Sequence, residues 1–391
     1  MTFTILTTKA LFSISLFKSI QQLLEQVPDA SNLLPAQDPF VNLTFLELLE
    51  KSQSVGGETG WQPNHFGIWQ NQSLIALIPC YEKYHSYGEY VFDHAWANAY
   101  HQHGLEYYPK LLCAIPFTPV TLNKMLLKPQ SNLTEEDLVN LLSQHWLEME
   151  PIHSSFHALF IPENQRQIFS QHDFHTRLNV QFVFNNQDYG CFDNFLDDLK
   201  SRKRKSIRKE RNEAVSTGVN IKRFSGKEIT PELMDDFYLC YQATYLKRSG
   251  HTGYLTEAFF KGLVTNMRDH IMLVMAFKNH KTVAGALFFF DNTHLYGRYW
   301  GALEDISQLH FECCYYQGIE FTIEKGLQYF NPGTQGEHKI ARGFRPTLCY
   351  SMHKMRHPAF DDAVKDFTER EAPHMLQYYE ETQQLLPFKL E

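Results

Sequence analysis

The chain has 391 residues, 43% hydrophobic side chains, 31 Phe, 20 Tyr and a formal net charge of -8. Such length and aromatic content supply two domains with separate cores and exclude disorder over most of the chain. The acidic balance excludes general affinity for nucleic acid, which needs clustered Lys and Arg.

Residues 1 to 35 read as a strand, TFTILTT, and a helix from about Ser19 to Gln26. The mildly apolar stretch Ala10 to Ile20 contains Lys18 and lacks a basic leader, so it reads as mature protein. PFVNLTFLELLEKS places Phe40, Leu43, Phe45, Leu46, Leu48 and Leu49 on a helical face, and Gly56, Gly57 and Gly60 then break it. HFGIWQNQSLIALIPCY predicts two strands joined at Gln70-Asn71-Gln72. YEKYHSYGEYVFD, dense in Tyr and charge, reads as a sheet edge under aromatic cover, with a substrate wall as the alternative. After the strand candidate HGLEYYPKLLCAIPF, SNLTEEDLVNLLSQHWLEM predicts a helix with Thr134 at its start and acids in its first turn. HSSFHALFI and FHTRLNVQFVF follow as strands; His153 and His157 lack a convincing third ligand for a metal.

Residues 191 to 218 read as one long helix whose basic part, Lys200 to Arg211, reads either as a solvated face or as an anchor for a polyanion. A strand, VNIKRFSG, two helices and a three-strand meander ending in THLYGRYWG complete the approach to residues 295 to 345. That stretch predicts strand, helix, strand and a polar loop, and collects Arg298, Trp300, His310, Glu312, Gln335, Glu337, His338, Lys339 and Arg342 beside aromatics. IWQNQSLIALIPCY and AFKNHKTVAGALFFF share a plan of strand, polar turn and strand, which predicts a duplicated α/β unit. The boundary is placed between 188 and 189, giving units 1-188 and 189-391, the second opening with the basic helix. Seven cysteines without a CxxC pair argue against structural zinc and a disulfide framework, and no run approaches the roughly 20 apolar residues of a membrane helix. The expected compartment is the cytoplasm.

GETGWQP (57-63), HSYGEYVFD (85-93), YYPKL (107-111), PFTPV (116-120), SRKRKSIRKER (201-211), YGRYWG (296-301), LHFECCYYQ (309-317) and QGEHKIARGF (335-344) resemble the Fem-like branch of GNAT-fold proteins. The resemblance implies an α/β fold of two GNAT-like units, each a mixed, mostly antiparallel sheet flanked by helices. It also implies an acyl- or aminoacyl-transferase acting on an amine acceptor such as a cell-wall precursor, with acyl-CoA or aminoacyl-tRNA as donor and no metal. The alternative is a non-catalytic module that binds a cell-wall precursor or RNA; a metal-dependent hydrolase is the third reading. In GNAT enzymes the loop before the central helix cradles a pyrophosphate. Here that loop, Gly301 to Gln308, carries Glu304 and Asp305, which would repel one. Amine acyl transfer needs a base, an acid and oxyanion donors. Glu337 or His338 is the candidate base and Tyr316, with Tyr299 and Tyr315 as alternatives, the proton donor. Arg298, Trp300, Gln335, Lys339, Arg342, His310 and Glu312 are candidate substrate contacts, and Lys203, Arg204 and Lys205 candidate phosphate contacts. The competing reading pairs Glu337 with Arg342 to hold the loop.

Overall fold

The structure is a computed structural model that describes residues 2–6, 11–36, 38–334 and 336–389. Two compact units emerge, Met1–Asn179 with Leu348–Leu376, and Val180–Thr347 with Gln377–Glu391. The division is discontinuous, unlike the single cut at 188/189. The chain re-enters the first unit within the strand Arg345–Met355 and leaves it within the helix Pro358–Gln384.

The first unit holds two sheets. In one, strands Thr2–Leu6, Leu11–Phe17, His65–Gln70, Ser73–Ile78 and Leu126–Leu127 pair antiparallel in that order. In the other, Trp61–Pro63, Tyr81–Lys83 and Lys110–Cys113 are antiparallel, and Lys110–Cys113 runs parallel to Ser155–Ile161. The helix Glu135–Glu148 buries Leu138, Val139, Leu141, Leu142 and Trp146 in the same core as Phe66, Ile68 and Phe156. It starts where expected: Thr134 and Asp137 form a reciprocal capping box that satisfies two free N–H groups. The strand Leu11–Phe17 was not anticipated between the first strand and the helix Ile20–Gln26.

The second unit is a mixed sheet. Asn220–Ser225, Ile271–Lys278, Lys281–Phe290 and His294–Ala302 form an antiparallel run, and His294–Ala302 pairs parallel with Tyr329–Asn331. Helices Pro231–Ser249 and Glu257–Asn266 precede the meander. One reading is corrected. The helix of residues 191 to 218 is two, Phe192–Asp198 and Ser201–Ser216, because Leu199 is extended and bridges Phe388 while Lys200 donates its N–H to the Pro387 carbonyl. After the polar loop, one 11-residue strand, Arg345–Met355, is followed by a 27-residue helix, Pro358–Gln384.

The expected echo between halves has a geometric counterpart. Hairpin His65–Gln70/Ser73–Ile78 turns at Asn71 and Gln72 (φ 47° and 64°), and hairpin Ile271–Lys278/Lys281–Phe290 turns at Asn279 and His280 (φ 50° and 62°). Positive φ at both central residues is the backbone twist that two-residue hairpins require, and Asn adopts it readily.

The stretch YEKYHSYGEYVFD covers a buried charge cluster in the first unit. Lys110 donates to Glu89 at 2.8 Å, to Ser86 at 2.9 Å and to Asp93, while Tyr107 donates to Asp93 at 2.7 Å. Lys83 lies 3.9 Å above the Trp61 ring and 3.8 Å from Glu89. All four charged side chains are buried. Among the described residues no helix is long and apolar enough to cross a membrane.

Candidate functional site

The second unit opens at its parallel strand pair. Register holds at His294↔Tyr329, Leu295↔Phe330 and Tyr296↔Asn331, after which Pro332 ends the shorter strand, since proline has no N–H for the ladder. The longer strand continues to Ala302, and the gap is a cavity of about 70 Å³ lined by Arg298, Trp300, His310, Cys314 and Tyr315 among others. A π-helical turn, Glu312–Tyr316, interrupts the following helix and carries Cys314 and Tyr315 to this wall. Such single-turn insertions are frequent at functional sites because they re-aim side chains that a regular helix would rotate away.

The groups around the cavity are basic side chains and aromatics whose titration burial shifts. The His310 ring stands edge-on to Trp300 at 5.2 Å and to Tyr315 at 5.3 Å. Burial, then the positive charge of His338, Arg248, Lys339 and Arg342, lowers its pKa to about 4. Lys339 is buried, donates to the Gly333 carbonyl at 2.6 Å, and has its pKa lowered to about 7, mainly by burial. The Tyr315 hydroxyl lies 2.8 Å from His338 Nε2. Burial, with Arg342 and Lys339, keeps the His338 pKa below its ordinary value, which favours the neutral ring; in its Nδ1–H tautomer Nε2 accepts from the phenol. Burial raises the Tyr315 phenol pKa.

The other candidates are engaged elsewhere. Arg211 grips Glu312 with two bonds of 2.9 and 3.0 Å and reaches Glu320 at 2.7 Å, so Glu312 is a tethered carboxylate. Arg342 pairs with Glu210 through bonds of 2.8 and 3.1 Å and lies 3.6 Å from the Phe311 ring centre. The competing reading, a Glu337–Arg342 pair, is not what forms: exposed Glu337 accepts from Tyr378 at 2.9 Å. Tyr316 is buried and donates to Glu210, not into the cavity. Arg204 pairs with Asp197 at 3.0 Å on the flank of the basic helix, where Lys203 is half-buried and Lys205 exposed. Gln335 lies outside the described residues. Arg298, Trp300 and His310 thus share the cavity wall with Cys314 and Tyr315, and His338 and Lys339 stand close by. Cys314 and Glu210 were missed; the i, i+4 spacing of His310 and Cys314 was the available signal for the former.

The loop before the helix does not fit a pyrophosphate. Glu304 is paired with Lys278 and Asp305 with Lys247, all on the surface. Gly301, the one glycine there, leaves no space for a ligand: a Cβ would sit 2.1 Å from the backbone carbonyl carbon of Cys240. It serves close packing of strand on helix. Among the described residues no group of three or more His, Cys, Asp or Glu could hold a metal ion.

These layers, mixed and mostly antiparallel sheets with helices on them, define an α/β protein. The chain belongs to the FemAB-like family, described as peptidoglycan biosynthesis/recognition, whose model matches residues 19–390. No curated protein matches it. Solved structures similar to it include the C-terminal domain of a protein from Agrobacterium fabrum classed as a lysylphosphatidylglycerol synthetase (10% identity, 88% of this chain and 96% of that one, TM-score 0.52). FemX is similar at 12% identity over 90% of this chain and 99% of its own, TM-score 0.51. A tandem GNAT protein from the clavulanic acid biosynthesis pathway is similar at 8% identity over 89% and 99%, TM-score 0.42. At such identities the first two, with TM-scores above 0.5, show likeness of fold alone.

Proposed function

We propose that the chain transfers an acyl or aminoacyl group to an amine on a cell-wall precursor. The observation that carries this reading is the Tyr315–His338 pair at the edge of an Arg298-lined cavity between parted parallel strands. An attacking amine must lose a proton, and neutral His338 can take it through Tyr315, the phenol passing its own proton on as it receives the amine's; as the C–N bond forms and the donor's ester C–O bond breaks, the same relay returns the proton to the leaving hydroxyl. Arg298, on the cavity wall, places positive charge where the carbonyl oxygen becomes an oxyanion. The unfitting pyrophosphate loop favours an aminoacyl-tRNA donor over acyl-CoA. The membership in a peptidoglycan biosynthesis/recognition family supports a peptide amine as acceptor.

The test is transfer of a radiolabelled aminoacyl group from charged tRNA, or of acetyl from acetyl-CoA, to the lysine-type amine of a peptidoglycan precursor peptide. Tyr315→Phe and His338→Gln are each expected to lower kcat by ~10²-fold or more, the usual contribution of a positioned proton carrier. Wild-type rates in both folded variants, or no transfer by the wild type from any donor, would remove the proposal.

A further inference from the structure

Two consecutive residues of the basic helix Ser201–Ser216, Glu210 and Arg211, bond to segments that flank the cavity-lining residues. Arg211 holds the π-helical turn through Glu312. Glu210 does more, because a single oxygen, Oε2, accepts from the Tyr316 hydroxyl and from Arg342 Nε and Nη2, at 3.1 and 2.8 Å. Tyr316 is the chain neighbour of Tyr315. Arg342 in turn donates from Nη1 to the His338 carbonyl at 2.6 Å, gripping the 3₁₀ turn Glu337–Arg342 on which His338 sits. One carboxylate oxygen therefore joins the segment carrying the phenol to the segment carrying the imidazole.

We propose that Glu210 is a positioning residue for the Tyr315–His338 pair, acting through Tyr316 and Arg342. The proposal rests on the transferase reading for its catalytic meaning, while its geometry stands apart from it. A network held only for stability is a costly choice, since Arg342 and Tyr316 are buried and an apolar pairing of the same volume would avoid the desolvation of charge. The groups facing His338 are Tyr315 and His310 from the helix side, Lys339 and Arg342 from its own turn, and Glu210 behind Arg342. Glu337, next in sequence, is taken by Tyr378. Glu210 is thus the anion that offsets the guanidinium nearest His338.

The experiment follows the His338 ring by NMR titration, assigned with His338→Gln, so that it needs no substrate. In Glu210→Gln, uncompensated Arg342 should move the His338 midpoint to lower pH. The transfer assay should show the loss in kcat, tenfold or more, with KM unchanged. Glu210→Asp keeps the charge on a shorter arm; it should restore the midpoint and leave kcat depressed. A folded Glu210→Gln variant with the wild-type midpoint overturns the proposal. If that variant does not fold, Glu210→Gln/Arg342→Gln carries the test: both charges are gone, His338 should titrate at higher pH than wild type, and an unchanged midpoint overturns the proposal. Loss of the transferase reading alone would appear as wild-type protein without turnover but with the midpoint shifts intact.

Discussion

Lys110 shows how much one residue can hold in this molecule. It is fully buried, and Glu89 and Asp93 both depend on it for a counter-charge. Their pull raises the lysine pKa against burial, whereas Glu89 rises to about 7 because burial outweighs the lysine. Lys110→Met should destabilise the first unit by ~3–5 kcal/mol, the range for stranding a buried charge. Lys110→Met/Glu89→Gln/Asp93→Asn should recover part of that loss in urea titrations; an unaffected single variant would contradict the account. At this scale the sequence exposes residue types and hides partners. The ionisable groups of residues 335 to 345 stand out by type, yet Arg342 finds its carboxylate in Glu210, 132 positions away, and not in nearby Glu337. Spacing within the loop carries no trace of that pairing.

The elements that local physics determines were readable, and those that depend on distant contacts were not. Thr134 and the acids after it announce a helix start that the capping box realises. The meander's strands and turns follow from short apolar runs bounded by polar turns and from Asn at the tip. The break at Leu199 has no local signal, because its cause is a bridge to Phe388 near the other end of the chain. Gly301 belongs to the same class. Its sequence position suggests a phosphate loop, but its missing side chain is occupied by the Cys240 backbone of the helix Pro231–Ser249. Gly301→Ala therefore forces strand and helix apart, against backbone atoms that cannot rotate aside. Thermal and urea unfolding should show a loss of ~1–3 kcal/mol, as for overpacking. A variant as stable as wild type would instead indicate an open loop.

On the scale of the whole chain, buried histidines make stability pH-dependent, and unevenly so. Burial lowers the pKa of His145 to about 4 and of His157 to about 3, and pushes His353 well down, all in the first unit; His310, lowered to about 4, is in the second. Below the ordinary histidine value of ~6.5 the unfolded chain takes up protons that the folded chain refuses, so stability falls as pH drops. Each such proton costs about 1.4 kcal/mol per pH unit. Glu89 opposes this: its pKa, raised to about 7, lets the folded state bind a proton first as pH falls. Three strongly shifted histidines in the first unit outweigh that one acid, whereas among the described residues of the second unit His310 alone is shifted that far, His294 and His338 being lowered less. The first unit should lose stability from about pH 6.5 toward 4 more steeply than the second. Tryptophan emission reads it, since Trp61, Trp69, Trp96 and Trp146 lie in the first unit and Trp300 alone in the second. Urea midpoints followed by total emission should fall with pH across this window, and in a Trp300-only variant they should fall less. Equal slopes for the two probes would refute the uneven distribution of acid sensitivity.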